Sequence, residues 1–154
     1  MTDTTISIRK AIDADLTAIV AMLADDALGA TREDNSSPLN QCYIDTFKAI
    51  DNDPNQLLAV VERDGIVVGC LQLSFIPGLS RKGMWRGQIE SVRITSDIRG
   101  GGIGRQMIEW AIEQCRKRNC GLVQLTTDKS RADAIRFYKS LGFVDSHEGM
   151  KLSL

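Results

Sequence analysis

Six residues, Arg99-Gly-Gly-Gly-Ile-Gly104, carry the strongest chemical signal in this chain. They stand between Gln88 to Thr95, which alternates like a strand, and a long amphipathic stretch that opens at Ile103. A helix start offers unpaired backbone N–H groups and a partial positive charge. Glycines let the backbone turn tightly and let a ligand touch it. Together these make an anion cradle, and Arg99 and Arg105 flank it with guanidinium groups suited to phosphate oxygens. Two common phosphate loops are excluded. No Gly-Lys-Ser/Thr ends the segment, and Arg105 stands where a dinucleotide fingerprint requires its third glycine. Taken alone, the cluster also fits a plain tight turn.

The elements that must position this loop are readable from periodicity. Ile6 to Ile8 alternates as a first strand. Asp13 is placed to cap a helix carrying Leu16, Ile19, Val20 and Leu23 on one side, ending near Gly29. Residues 30–40 read as a loop, and a second helix spans about Leu39 to Ile50 before Asp51-Asn-Asp-Pro54 stops it. Leu57 to Val61 and Ile66 to Phe75 are apolar, β-branched runs around Arg63-Asp-Gly65, a strong hairpin signal. A polar, basic loop runs from Ser80 to Gly87. Beyond the glycine loop, Met107, Ile108, Ala111, Ile112 and Cys115 share a helical face. Leu122 to Thr126 is a strand. Ser130 and Asp133 form a capping-box pattern before a helix lined by Ala134, Phe137, Tyr138 and Leu141, with Gly142 as its left-handed stop. Phe143-Val144 and Met150 to Leu152 read as closing strands. The order predicts an α/β (α+β) fold with a mixed, mostly antiparallel central sheet flanked by helices.

At 154 residues, 43% hydrophobic and 25% charged, the sequence fits one globular domain over 1–154. Met1 to Thr5 is polar and lacks a leader's basic start, and no apolar run reaches a membrane span, so the expected location is the cytoplasm, off the membrane. The net charge of −1 argues against general nucleic-acid binding. It is unevenly spread: residues 1–64 hold 12 acidic and 5 basic side chains, residues 65–154 hold 8 and 14. A basic half suits an anionic cofactor and an acidic half a cationic substrate, although solvated faces explain the same counts. Cys42, Cys70, Cys115 and Cys120 form no Cys-x-x-Cys pair and stand far from the single histidine, His147. Reduced thiols are expected and no metal site. His147 reads as a surface turn residue, Trp85 and Trp110 as packing groups, and Arg116-Lys117-Arg118 as complements to a helix C-terminus.

The glycine loop resembles the Arg/Gln-x-x-Gly-x-Gly/Ala loop of the GNAT superfamily of acetyl-CoA-dependent N-acetyltransferases. Ile89-Glu-Ser-Val-Arg-Ile94 is similar to the strand that precedes it in that family. Ala134-Ile-Arg-Phe-Tyr138-Lys-Ser-Leu-Gly-Phe143 is similar to the Ala-x-x-x-Tyr-x-x-x-Gly-Phe signature, and Ile8-Arg-Lys-Ala11 with Asp15-Leu16 to the usual opening. The resemblance spans the chain and is most specific over 88–143. It implies a splayed sheet, with the cofactor's pantetheine arm on the backbone of Val92, Arg93 and Ile94 and its pyrophosphate on the amides of Gly100, Gly101, Gly102, Ile103 and Gly104. Two positions depart from the pattern. Gly101 replaces a frequent Lys or Arg, which moves phosphate binding onto backbone amides, Arg99 and Arg105; Arg131 replaces a frequent Asn.

Acetyl transfer to an amine requires a base, because a lysine-like amine with a reference pKa near 10.4 is protonated at neutral pH. Glu90 is the candidate, on the strand that would flank the thioester. The plainer alternative is a carboxylate paired with Arg86 or Arg93. The departing thiolate requires a proton, and Tyr138 sits where the family carries a tyrosine for that role; the alternative is a core aromatic. The expected activity is acetyl transfer from acetyl-CoA to a small-molecule or peptide amine by direct attack, with a non-catalytic acyl-CoA sensor as the second expectation. Dimers are frequent in the family.

Overall fold

The computed structural model describes residues 5–154; the first four residues of the polar start lie outside that range. The chain runs β1 (Ile6–Lys10), a 3-10 turn (Asp13–Asp15), α1 (Leu16–Ala24), α2 (Gly29–Arg32), α3 (Gln41–Asn52), β2 (Gln56–Arg63), β3 (Ile66–Ile76), α4 (Ser80–Gly83), β4 (Arg86–Ile94), a second 3-10 turn (Ser96–Ile98), α5 (Ile103–Lys117), β5 (Leu122–Leu125) and α6 (Ala132–Ser140). The strands lie side by side in sequence order. The first four are antiparallel, and β5 joins β4 in parallel. This is the mixed, mostly antiparallel α/β sheet that the residue pattern predicts.

Both faces of the sheet are covered, which explains why Leu58 to Val61 is a continuous buried run. Side chains alternate between two cores. Ala59, Val61, Leu71, Leu73, Phe75 and Ile89 pack with Ile103, Met107, Ile108, Ala111 and Cys115 of α5. Leu58, Val60 and Cys70 pack on the other face with Leu16, Ile19 and Met22 of α1 and Phe47 of α3. The β2–β3 hairpin turns through Asp64 and Gly65, both at positive φ (53° and 78°), which is the two-residue primed turn that Asp-Gly favours. The C-terminus of α6 closes as expected. Gly142 has φ 95°, its N–H donates to Lys139 O, and the Phe143 N–H donates to Tyr138 O, a Schellman arrangement.

Several local expectations are corrected. α1 stops at Ala24, not near Gly29; Gly29 is buried and opens α2, where its N–H donates to Asp26 Oδ1. A side chain there has no room, since a Cβ would collide with Leu23 O. Asp13 caps nothing. Asp15, three residues into the turn, accepts the Ile12 N–H at 2.8 Å and the Arg9 guanidinium at 2.8 and 3.1 Å. The Ser130/Asp133 capping box is absent: Ser130 bonds Asp128 at 2.6 Å, and Asp133 pairs with Arg136. Within Ser80–Gly83, Arg81 and Lys82 are left-handed rather than helical. Arg118 leaves its helix end to lie 4.3 Å over the Phe75 ring and donate to Pro54 O at 2.6 Å. Residues 143–154 form no strand; the predicted closing strands are missing because Val144, Met150 and Leu152 meet no sheet and stay exposed.

Candidate active site

β4 and β5 pair only from Arg86↔Leu122 to Ile89↔Leu125. β4 continues to Ile94, so among the described residues its last five have no strand neighbour on that side. The sheet therefore opens into a V whose apex lies at Ile89. On the opposite side, Cys70 faces Arg93 while Gln72 faces Glu90, so Ser91 and Val92 together oppose Leu71. That is a β-bulge, and Ser91 carries its strain at φ 54°. The sequence already holds the signal. Ile89, Val92 and Ile94 all join the α5 core, and the step of three before the step of two is a phase slip of one residue.

The bulge decides where backbone groups point. The Thr95 N–H donates to Val68 O on the β3 side at 2.9 Å. Strand alternation then turns the N–H and C=O groups of Ile94 and Val92 into the V. Their carbonyls are held by arginines: Arg93 Nη1 donates to Val92 O at 2.9 Å and Arg99 Nε to Ile94 O at 3.2 Å. Beyond Ile89 no strand among the described residues pairs with this side of β4, so the Val92 and Ile94 N–H groups remain as two donors along the opening.

The glycine loop lies at the mouth of this V. Gly100 and Gly102 have φ 89° and 80°, and Gly102 is the left-handed cap of α5. A Cβ on either would meet nothing within 4 Å, so both face open space. Gln106 is the first residue of α5 whose N–H bonds back, to Gly102 O at 3.2 Å, which leaves the amides of Ile103, Gly104 and Arg105 to serve a ligand. Gly104 ties three elements together: a methyl there would sit 3.2 Å from Ile94 Cδ1 and 3.5 Å from Phe137 Cζ. Loop, β4 and α6 thus meet at one point. Arg105 is exposed and pairs with Glu109 at 3.4 Å. An open hollow of about 480 Å³ beside the loop is walled by Arg99, Gly101 and Asp97, and also by Arg63, a cation the sequence pattern does not single out.

Glu90 sits beside the apex, exposed, its side chain with no hydrogen bond or ion pair among the described residues. The alternative pairing with Arg86 or Arg93 is not formed. Arg93 instead takes Asp26 Oδ2 at 3.5 Å, a contact between segments 67 residues apart that no local pattern announces. Asp26 is held below the usual carboxylate range, first by the Gly29 N–H and then by Arg93 and Arg131. Tyr138 is half-buried, edge-on to Phe137 (5.2 Å) and Phe143 (5.8 Å). Burial pushes its phenol above the ordinary value against the opposing pull of Arg131 and Arg93, so it keeps its proton at neutral pH. The structure therefore gathers Val92, Arg93, Ile94, the glycine loop and Tyr138 around one opening. His147 lies elsewhere, exposed beside Ser146 at 2.6 Å.

Such an opening suits a long, flexible, anion-tipped ligand: amide donors along a strand edge for an extended arm, and a helix start for a phosphate group. Residues 21–143 match the Acetyltransferase (GNAT) family. The aminoalkylphosphonate N-acetyltransferase of Salmonella typhimurium is 36% identical over 107 residues, covering 70% of this chain and 69% of that one. A crystal structure of a transcriptional regulator from Bacillus halodurans superposes with a TM-score of 0.95 at 49% identity, over 97% of this chain and 100% of that one. A solved structure from Agrobacterium tumefaciens gives 0.85 at 26% identity, over 96% and 99%.

Proposed function

The chain belongs to the GNAT acetyltransferase family and is an acyltransferase by that membership; from this premise we propose that it transfers the acetyl group of acetyl-CoA to a primary amine by direct attack, with Glu90 as base and Tyr138 as proton donor. The unpaired edge of β4 beyond Ile89 is the observation that carries this reading. The edge has two amide donors and no strand partner among the described residues, and it leads to a helix start built on left-handed glycines. Those features fit the two ends of an acyl-CoA. Val92 and Ile94 hold the arm, and the amides of Gly100 to Gly104 with Arg99 and Arg105 hold the pyrophosphate. Bound acetyl-CoA supplies an activated acyl carbonyl and a thiol leaving group.

The side chains do the proton work. Glu90 is exposed and unpaired, so its carboxylate is available to an incoming ammonium group, directly or through a water. Tyr138 keeps its phenolic proton, raised chiefly by burial, and delivers it to the departing sulfur. Replacing Glu90 with Gln and Tyr138 with Phe is expected to lower kcat by about 10²–10⁴-fold each, the usual worth of acid–base assistance, with little change in acetyl-CoA affinity. Thiol release against a panel of polyamines, amino sugars, aminoalkylphosphonates and peptide N-termini tests this. Full turnover in both variants removes the assigned roles.

A second reading is a non-catalytic acyl-CoA sensor on the same fold. Gly101 and Arg131, the two departures from the family pattern, favour it. So does the description of the Bacillus halodurans relative as a transcriptional regulator. Acetyl-CoA binding without thiol release on any amine of the panel selects that reading.

A further inference from the structure

We propose that Arg32, Arg93 and Arg131 form a subsite for an anionic group on the acceptor, so that the amine acetylated is one carrying a phosphate, phosphonate or carboxylate. This deepens the acetyl-transfer reading and rests on it. The two arms of the V set the arrangement. The parallel pair ends at Ile89 and Leu125. Beyond it β4 forms one arm as far as Ile94, and the chain after β5 forms the other as far as Arg131, the residue that precedes α6. Cys70 faces Arg93 and Gln72 faces Glu90 across β3 and β4. Cys70 belongs to the core under α1 and α3, and cross-strand partners share a face. Arg93 and Glu90 therefore stand on the same side of the sheet, the side away from α5.

The segment that follows α1 spans the two arms. On one arm, Asp26 Oδ2 lies 3.5 Å from Arg93 Nη2. On the other, the Asp128 carboxyl is held low first by the hydroxyl and N–H of Ser130 and then by Arg32 of α2 and by Arg131. Arg131 also acts on Asp26, after the Gly29 N–H and Arg93. It acts on Tyr138 as well, where burial raises the phenol and Arg131 and then Arg93 oppose it. Arg131 is thus common to Asp26, Asp128 and Tyr138 and stands at the centre of the group.

The nearby carboxylates are already engaged. Asp26 Oδ1 accepts the Gly29 N–H, and Asp128 Oδ1 accepts the Ser130 N–H at 2.9 Å and its hydroxyl at 2.6 Å. Guanidinium capacity is left over. Arg93 Nε is buried with no hydrogen-bond partner among the described residues. Arg32 and Arg131 are exposed, and neither side chain has a hydrogen bond or ion pair among the described residues. A buried donor without a partner is costly, and guanidinium groups match the oxygens of phosphate and carboxylate. Arg131 stands where the family frequently has Asn, so its charge is a feature of this chain rather than of the shared acetyl-CoA site. An amine with an anionic tail offers its ammonium end to Glu90 and its tail to the arginines. A polyamine would meet three like charges instead.

Thiol release from phosphoethanolamine, β-alanine, propylamine and putrescine tests the assignment, with the unaltered protein and with Arg131→Asn and Arg32→Gln. For the unaltered protein, kcat/KM for phosphoethanolamine or β-alanine should exceed that for propylamine by at least about tenfold, the worth of one charge-assisted contact, with putrescine lowest. Both variants should cut that ratio by roughly tenfold, through KM for the anionic amine, with the acetyl-CoA Kd within about threefold of the parent. Propylamine or putrescine turning over with equal or higher kcat/KM overturns the subsite and leaves the acetyl-transfer reading standing. So does a ratio unchanged in both variants, or a loss of acetyl-CoA affinity in Arg131→Asn in place of the change in KM. No release from any of these amines or from the wider panel removes the acetyl-transfer reading, and this one with it.

Discussion

Arg9 and Asp15 show how one buried charge is held near the start of the chain. Asp15 is the one buried charged residue among those described, and it accepts two guanidinium N–H groups and the Ile12 N–H. Arg9 also reaches Glu62 at 2.9 Å across the β1–β2 pair, so the carboxylate joins strand, turn and helix. Its proton affinity is held below the ordinary value by Arg9 first and the Ile12 amide next, against the opposing effect of burial. A carboxyl that titrates lower in the folded state adds stability above its unfolded pKa near 3.9, and that stability is lost as pH falls through the folded value. Asp15→Asn should therefore cost about 2–3 kcal/mol at neutral pH and flatten the acid limb of a chemical-denaturation series. An unchanged acid limb removes this role. The Ile8-Arg9…Asp15 spacing was legible, but the Glu62 partner, 53 residues from Arg9, was not. The cysteines behave as their spacing predicts, unpaired. Burial lifts the Cys70 thiol to about 12 and the Cys115 thiol to about 11, whereas Cys42 is exposed. A thiol reagent should titrate one fast-reacting group in the native protein and none in Cys42→Ser, which is also the background to use for a thiol-release assay. Rapid labelling of more than one thiol contradicts this.

At the scale of elements, the site is made by what one strand lacks. β4 outruns β5 by five residues and slips phase at Ser91, and these two facts create the opening and aim its amides. The glycine loop contributes conformation more than space. Gly102 is left-handed with nothing near its missing Cβ, whereas Gly101, without that constraint, would bring a Cβ 3.4 Å from Ile98 O, an ordinary contact. Gly102→Ala should then cost about 1–2 kcal/mol of strain and weaken coenzyme A binding by roughly tenfold, while Gly101→Ala stays within a few-fold of the parent. Equal affinities in calorimetric titration for both variants would dismiss the left-handed cap as the reason. Strong periodicity and turn chemistry made α5, the β2–β3 hairpin and the Gly142 stop readable. Helix starts were less so, because Asp15 rather than Asp13 takes the Ile12 N–H, and Ser130 and Asp133 each had competing partners within a few residues. The end of α1 turned on close packing at Gly29, and the closing strands did not form because the apolar residues after Phe143 reach no sheet edge.

The whole molecule is a sheet covered on both faces but open along one edge, and that shape predicts how a ligand changes its stability. Two cores share β2 and β3, so the body from β1 to β4 is held from both sides. Within the β5–α6 flank, β5 pairs with β4 over only four residue pairs, and neither element contains a fully buried side chain. It should open before the rest, with amide exchange in Leu122–Leu125 and Ala132–Ser140 faster than in β2 and β3. A ligand that bridges β4, the α5 start and α6 ties this flank to the body and binds the folded state alone. At a hundredfold excess over Kd it adds about 2.7 kcal/mol, which in a domain of this size raises Tm by roughly 5–10 °C. Coenzyme A and acetyl-CoA should give that shift, and the β5–α6 amides should slow with it. ATP and NAD carry phosphates but no arm to fill the V beyond Ile89, so they should give little. Equal shifts from all four ligands would mean that the helix start binds phosphate without the strand edge, and the acyl-CoA reading would then lose the feature on which it stands.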